Sequence, residues 1–562
     1  EEEWISDDEQ QLLSDAYRFL RTVEHRIQIV QERQTHSLPN QPRELLALAR
    51  RSGFADAESF NAELERHRQG VSDIFKDLFH SADEEDIEVS SEVNFIFDPE
   101  SDSDLVKDLL EEKGFKNPDA AYENLTWLRD GDRHKRMTAR GRRCLEKLAP
   151  LLLMEILDSG NPDQALNNLE LFIKGIRART SYFSLLVENP GIVKLLIALF
   201  SSSQLLSRIF IQRPELLDTL VARSYVVENK NRQQLADSLA EQMALAEDYE
   251  LQLDGLRRFR NEEFLRIALS DLHEQLKQGE GAKQLSWVAE VCLEQAIRMA
   301  RQELIPRFGA PFDNDAPEDA EETAFAVVGM GKLGGLELNY HSDLDIIFIY
   351  DSEGRTRPVA GTDSQRFREL SNHEYFAKLA QRIITALTLV TREGAVYEID
   401  TRLRPSGNQG PLVTSLSAFK RYHKESAQPW ERQAMTKARV VCAPEEFSER
   451  LQQLISELAF DRPVPDNLQA EIYRLRRRME KEIAKEDEAH FNIKTGRGGM
   501  VDVEFIAQYL QLRYARQIKD LWLQNTLDIL RVLAKNDILH VAESERLING
   551  YKFLRRLENK LR

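Results

Sequence analysis

The sequence predicts a mainly α protein with one small α/β domain set between helical domains. Three observations lead there. Helical periodicity runs through most of the 562 residues. Apolar runs of strand character, rich in β-branched and aromatic residues, fall within 325–400. Proline and glycine punctuate the rest at intervals of helix length.

Composition narrows the classes. A net charge of −19 argues against bulk attraction to nucleic acid. No run of eighteen apolar residues is present, so no membrane span is expected. Cys144, Cys292 and Cys442 lie far apart without metal-ligand spacing, as in a reducing, cytoplasmic setting. No signal peptide is visible; the chain starts at Glu1 without a Met and stops inside an unfinished helix, which leads us to expect a piece of a longer protein.

In chain order, residues 8–34 and 41–80 have helical spacing, as in Leu12, Leu13, Ala16, Phe19, Leu20, Val23 and Ile27, with Pro39 and Pro42 between them. Residues 1–80 form one helical region. Residues 81–103 are acidic and serine-rich, the composition of a linker. Residues 104–310 read as helices broken at Pro118, Pro150, Gly160-Asn161-Pro162, Pro190-Gly191 and Pro214, with 192–209 the most apolar. Arg257-Arg258-Phe259-Arg260 suits either a solvated helix face or an anionic partner. Residues 311–444 hold the α/β domain, and 445–562 return to helix. Tyr17-Arg18-Phe19-Leu20-Arg21 matches Tyr551-Lys552-Phe553-Leu554-Arg555, continuing with Glu24 against Glu558; a tandem duplication explains this repeat at the two ends.

The chemistry concentrates in 325–351. Phe325–Val328 reads as a strand, Gly329–Gly335 as a glycine turn, and Ile346–Tyr350 as a second strand opened by Ser342-Asp343-Leu344-Asp345. Gly329-Met330-Gly331-Lys332-Leu333-Gly334 fits a dinucleotide fingerprint, but only seven residues separate Gly335 from Asp343, too few for a crossover helix. The alternative is a phosphate-binding turn followed by paired carboxylates. Asp343 and Asp345 share one strand face and can hold two Mg²⁺ ions about 3.5–4 Å apart. Gly334 and Gly335 permit close approach of backbone amides to a triphosphate, and Ser342 can donate to it. Lys332 suits either phosphate or solvent. Val396–Asp400 reads as a third strand ending in Asp400, a third carboxylate able to accept a proton. Arg402 and Arg404 follow, able to neutralise a pyrophosphate. Downstream, Lys437 suits either nucleotide or solvent, and the turn Lys494–Gly499 has no role derivable from its residues beyond capping a helix that starts near Asp502.

GMGKLGGLELNYHSDLDIIFIYD, YEIDTRLRPSGNQGPLVTS, WERQAMTKARVV and IKTGRGGMVDVEFIAQYLQLRYA, in this order, resemble the glutamine synthetase adenylyltransferase family. The resemblance implies a DNA polymerase β-like nucleotidyltransferase fold with a small mixed sheet. It implies ATP as substrate, Mg²⁺ as cofactor, glutamine synthetase as protein substrate, and a PII signalling protein and glutamine as effectors. It places Asp343, Asp345 and Asp400 as metal ligands and Gly334, Gly335 and Ser342 in the nucleotide-binding turn. The family has two homologous halves, one adding AMP and one removing it by phosphorolysis. Ser406-Gly407 and Val413-Thr414-Ser415 resemble the adding half, with removal of AMP, or a nucleotide-sensing scaffold, as the alternatives.

Overall fold

The computed structural model describes residues 7–31, 38–39, 42–79, 91–98, 100–130, 139–176, 179–214, 217, 229–272, 276, 279–314, 317, 320–487 and 490–561. The chain divides into two compact units, residues 1–90 and 91–562. In the first, helices Asp7–Gln31, Pro42–Arg51 and Ala57–Phe79 enclose Val23, Ile27, Leu48 and Phe60. Phe19 stacks on His67 at 4.7 Å between ring centroids.

The second unit begins with helices from Ser91–Phe97 to Glu280–Phe308. Three expectations change here. Ser91–Phe97 is helical rather than linker, because Val93 and Ile96 share one buried face. The rest of the expected linker up to residue 90 lies outside the described residues. Pro150 sits inside the helix Ala139–Leu157 instead of ending it, where Leu148, Leu152, Leu153 and Ile156 are fully buried. The expected apolar core is found in Pro190–Ser202, with Ile192, Val193, Leu196, Leu199 and Phe200 buried. Among the described residues no single helix is long and apolar enough to cross a membrane, although one bent pair around it passes by length and composition. Arg257 is neither solvated nor turned to an anion. It is fully buried and donates to the carbonyls of Leu253, Ala386, Leu389 and Gly394, closing the C-terminal end of the helix Asn372–Thr388.

The strands are β1 (Ala310–Asp313), β2 (Phe325–Gly329), β3 (Leu344–Tyr350), β4 (Gly354–Arg357), β5 (Ile399–Asp400), β6 (Val413–Ser415) and β7 (Arg439–Cys442). β1 and β4 form a separate antiparallel pair. The main sheet is mixed. β2 runs antiparallel to both β3 and β7, while β5 and then β6 pair in parallel with β3.

Strand periodicity of two splits the sheet between two cores. Phe325 and Val327 of β2, with Leu344, Ile346, Phe348 and Tyr350 of β3, join the core under helices Glu280–Phe308 and Asn372–Thr388. Ala326 and Val328, with Ile347 and Ile349, join the opposite core, formed with helices Glu445–Phe460, Met500–Tyr514, Thr526–Lys535 and Val541–Leu561. Both faces are covered, which explains why β2 and β3 read as unbroken apolar runs.

Candidate active site

β3 places the acidic pair. Asp343 and Asp345 continue the face of Ile347 and Ile349, the face covered by the C-terminal helices. Asp345 is partly buried and Asp343 exposed. The parallel pairing of β3 with β5 sets Asp345 in register with Asp400, so side chains from two strands occupy one row. Burial pushes the Asp345 carboxyl up to about 6; Asp400 and Asp343 add to the shift, and the Lys494 ammonium and Arg402 oppose it. Three carboxylates are therefore crowded at the start of β3, with Asp345 carrying the cost.

Asp400 is already engaged. Arg402 donates from its backbone N to Oδ1 at 2.8 Å and from Nε to Oδ2 at 2.8 Å. These contacts hold the Asp400 carboxyl below the usual carboxylate range. Among the described residues, no three His, Cys, Asp or Glu side chains stand together as a metal-binding group. The donor set still suits Mg²⁺: hard carboxylate oxygens, with a repulsion that a divalent cation would relieve. Three-fold ligation would require Asp400 to leave Arg402.

The glycine turn differs from expectation. Gly331–Gly334 forms one helical turn; the amide of Gly334 is given to Met330 O at 3.0 Å and that of Gly335 to Gly331 O at 3.2 Å. These amides are spent within the turn, not presented to a triphosphate. Gly334 is needed for packing, since a Cβ there would lie 1.8 Å from Lys437 O. The glycine facing the carboxylates is Gly331, at φ +51°, where a Cβ would lie 2.6 Å from Asp345 Oδ2. The fingerprint contained Gly331, but the spacing gave no reason to choose it over Gly334. Ser342 Oγ accepts from Asn339 N at 3.0 Å, folding the loop into β3. Arg404 donates to Thr401 O at 2.9 Å and Gly410 O at 3.3 Å, fixing the loop after β5 rather than facing a leaving group.

The two lysines expected on phosphate or in solvent have other partners. Lys332 Nζ pairs with Glu558 at 3.1 Å, and Glu558 is almost fully buried. Burial lowers the proton affinity of Lys332, and Glu558 counters it. Lys437, also buried, reaches Glu337 at 2.8 Å and Thr526 Oγ1 at 2.7 Å. Glu337 accepts in addition from Thr526 N at 2.7 Å. Arg555 donates to Glu337 O at 2.7 Å, Asn525 Nδ2 to Gly335 O at 3.0 Å, and Arg439 Nε to Gly334 O at 3.0 Å. The turn is thus fastened from behind by the C-terminal helices. Nothing in the sequence pointed to Glu337, and Glu558 stood out only as the counterpart of Glu24 in the repeat.

Residues 193–454 match the family model described as glutamate-ammonia ligase adenylyltransferase. Residues 1–79 and 467–562 both match the model described as GlnD PII-uridylyltransferase, so one model covers both copies of the Tyr17/Tyr551 repeat. Among similar curated proteins is the bifunctional glutamine synthetase adenylyltransferase/adenylyl-removing enzyme of Thioalkalivibrio sulfidiphilus, 35% identical over 89% of this chain and 52% of the relative. The enzymes of the same name from Hahella chejuensis and Pseudomonas putida are 32% and 31% identical, each over 97% of this chain and 57% of the relative. The chain spans about half the length of the curated relatives it matches. Over about half of their length the chain is thus homologous to the proteins named bifunctional glutamine synthetase adenylyltransferase/adenylyl-removing enzyme, and residues 193–454 are similar to the glutamate-ammonia ligase adenylyltransferase family.

Proposed function

We propose that this chain transfers AMP from ATP to a tyrosine of glutamine synthetase and releases pyrophosphate, using a DNA polymerase β-like nucleotidyltransferase domain within residues 311–444. The observation that carries the reading is the register of Asp345 with Asp400 beside Asp343. Mg²⁺ held by Asp343, Asp345 and Asp400 would neutralise phosphate charge and favour the phenolate of a tyrosine whose ordinary pKa is near 10.

The tyrosine oxygen attacks the α-phosphorus, a P–O bond forms, and the bond from the α-phosphorus to the bridging oxygen of the β-phosphate breaks with its electron pair leaving on pyrophosphate. The phenolic proton passes to a carboxylate. While Arg402 holds Asp400, that carboxylate is a poor acceptor. Arg402 is largely exposed and can turn to the pyrophosphate oxygens. The exchange would free Asp400 as charge builds on the leaving group.

Ser406-Gly407 and Val413-Thr414-Ser415 favour addition of AMP over its removal. A PII protein and glutamine are proposed as effectors, and a reducing cytoplasm as the setting, in keeping with three free cysteines of which Cys292 and Cys442 are buried. The test is incubation with α-labelled ATP, Mg²⁺ and unmodified glutamine synthetase. Label should move to glutamine synthetase, and Asp343→Asn with Asp345→Asn should abolish the transfer in a folded chain. Absence of label on glutamine synthetase, with ADP released from adenylylated glutamine synthetase and phosphate, would assign removal instead.

A further inference from the structure

The turn that faces the carboxylates does not hold its own place. Gly331–Gly334 is a single helical turn of four residues, too short to be stable by itself. Its start is tied to the strand that carries the acidic pair, where Met330 N donates to Asp345 O at 2.8 Å. Gly331 follows, so close to Asp345 Oδ2 that a Cβ would lie 2.6 Å from it. A shift of the turn therefore shifts the backbone packed against the Asp345 carboxylate.

The next residue is Lys332, and its tether comes from the helix Val541–Leu561. Lys332 Nζ donates to Glu558 Oε1 at 3.2 Å and to Oε2 at 3.1 Å. Arg555, one turn earlier on the same helix face, donates to the carbonyls of Glu337 at 2.7 Å and Leu338 at 3.4 Å, just beyond the turn. Glu558 is buried. A buried ion pair is a weak source of stability, since well-packed apolar side chains often serve as well or better. What it adds is direction: a carboxylate bonded through both oxygens fixes where the ammonium lies, which apolar packing does not.

We propose that Glu558 is a positioning residue for nucleotidyl transfer, acting through Lys332 to hold the Met330–Gly331 backbone against Asp345. This rests on the AMP-transfer reading above and adds to it a residue that works from behind the turn.

The test is steady-state transfer of label from α-labelled ATP to glutamine synthetase by wild type, Glu558→Gln, Lys332→Met, the double variant and Ser544→Ala. Ser544 is buried in the same helix and donates to Leu530 O at 3.0 Å, so its loss loosens the helix without touching the turn. Misplacing a reacting group by about 1 Å can cost about a hundredfold in rate. The kcat of Glu558→Gln should therefore fall roughly tenfold to a hundredfold, with KM for glutamine synthetase within about twofold of wild type. The double variant should be no slower than Lys332→Met, because the carboxylate then has no ammonium to hold. It also strands neither charge, so it reads the same deficit if Glu558→Gln does not fold. Ser544→Ala should keep the wild-type kcat. Wild-type kcat in folded Glu558→Gln or in the folded double variant, losses that multiply in the double variant, or an equal loss in Ser544→Ala would each overturn the assignment. A folded wild type that transfers no label would overturn the AMP-transfer reading itself, and this assignment with it.

Discussion

Lys437→Met replaces the cation that joins the sheet to the C-terminal helices with a chain of similar length and no charge. Lys437 and Glu337 are both buried, 4% and 5% exposed. Removing one partner of such a pair strands the other and typically costs about 3–5 kcal/mol. Glu337 would keep the Thr526 amide and the nearby charge of Arg555, so the expected loss is at the low end, about 3 kcal/mol. An exposed pair in the same place would be worth about 1 kcal/mol or less. Urea unfolding at pH 7.5 measures the difference. The pH dependence provides a second check. Burial works to raise the Glu337 carboxyl, but Lys437 and Arg555 outweigh it, and the folded-state pKa lies below its ordinary 4.5. That contribution is present above 4.5 and is lost as pH falls through the folded value. In the variant it shrinks, so the gap from wild type should narrow on acidification below 4.5. Adding Glu337→Gln to Lys437→Met should recover part of the loss, because the stranded charge is gone. A loss below about 1 kcal/mol, or a gap independent of pH, would refute the buried-lock reasoning.

Gly334→Ala should cost about 1–3 kcal/mol or more, because its Cβ meets backbone Lys437 O rather than a movable side chain; thermal unfolding reads this directly. Gly331→Ala should abolish label transfer, since the added Cβ crowds Asp345 Oδ2 and L side chains rarely adopt its φ; full transfer would remove Gly331 from the site. His423 is buried against Phe419, and burial, with Arg462, depresses its pKa from 6.5 to about 4. Stability is therefore present above 6.5 and lost as pH falls toward 4, about 2 kcal/mol between pH 7.5 and 5; His423→Gln should lack that loss in parallel urea titrations. Arg402→Ala should weaken pyrophosphate binding and bring the Asp400 pKa back up toward 3.8, as followed by carboxyl NMR.

What was legible in the sequence was local. Continuous β-branched and aromatic runs marked β2 and β3, and the two-residue spacing of Asp343 and Asp345 set both on one face. The strand expected at Val396–Asp400 shrinks to Ile399–Asp400, because the amides of Val396 and Tyr397 bond to Leu387 O instead of to the sheet. β1, β4, β6 and β7 are three or four residues long and owe their conformation to their pairing partners. The lysines were misplaced for a different reason. Lys332 finds its carboxylate 226 positions away and Lys437 finds its own 100 away, distances over which no pattern of local spacing carries information.

The repeat shows how far the partner decides the role. Arg21 and Glu24, in the first unit, pair with each other three residues apart on a helix surface. Their counterparts Arg555 and Glu558 each hold a partner far away in the chain. Arg555 reaches the carbonyl of Glu337 and Glu558 reaches Lys332, both at the glycine turn. The same two residue types at the same spacing thus form a surface ion pair in one copy and fasten the glycine turn in the other. Local helix chemistry is satisfied either way. What separates the two is the buried carbonyl and ammonium that the turn brings to Arg555 and Glu558, groups that would each cost free energy if left without a partner. The helix Val541–Leu561 is therefore part of the site's frame: displacing it would expose the Lys332 ammonium and the Glu337 carbonyl together and release the turn that carries Gly331 against Asp345.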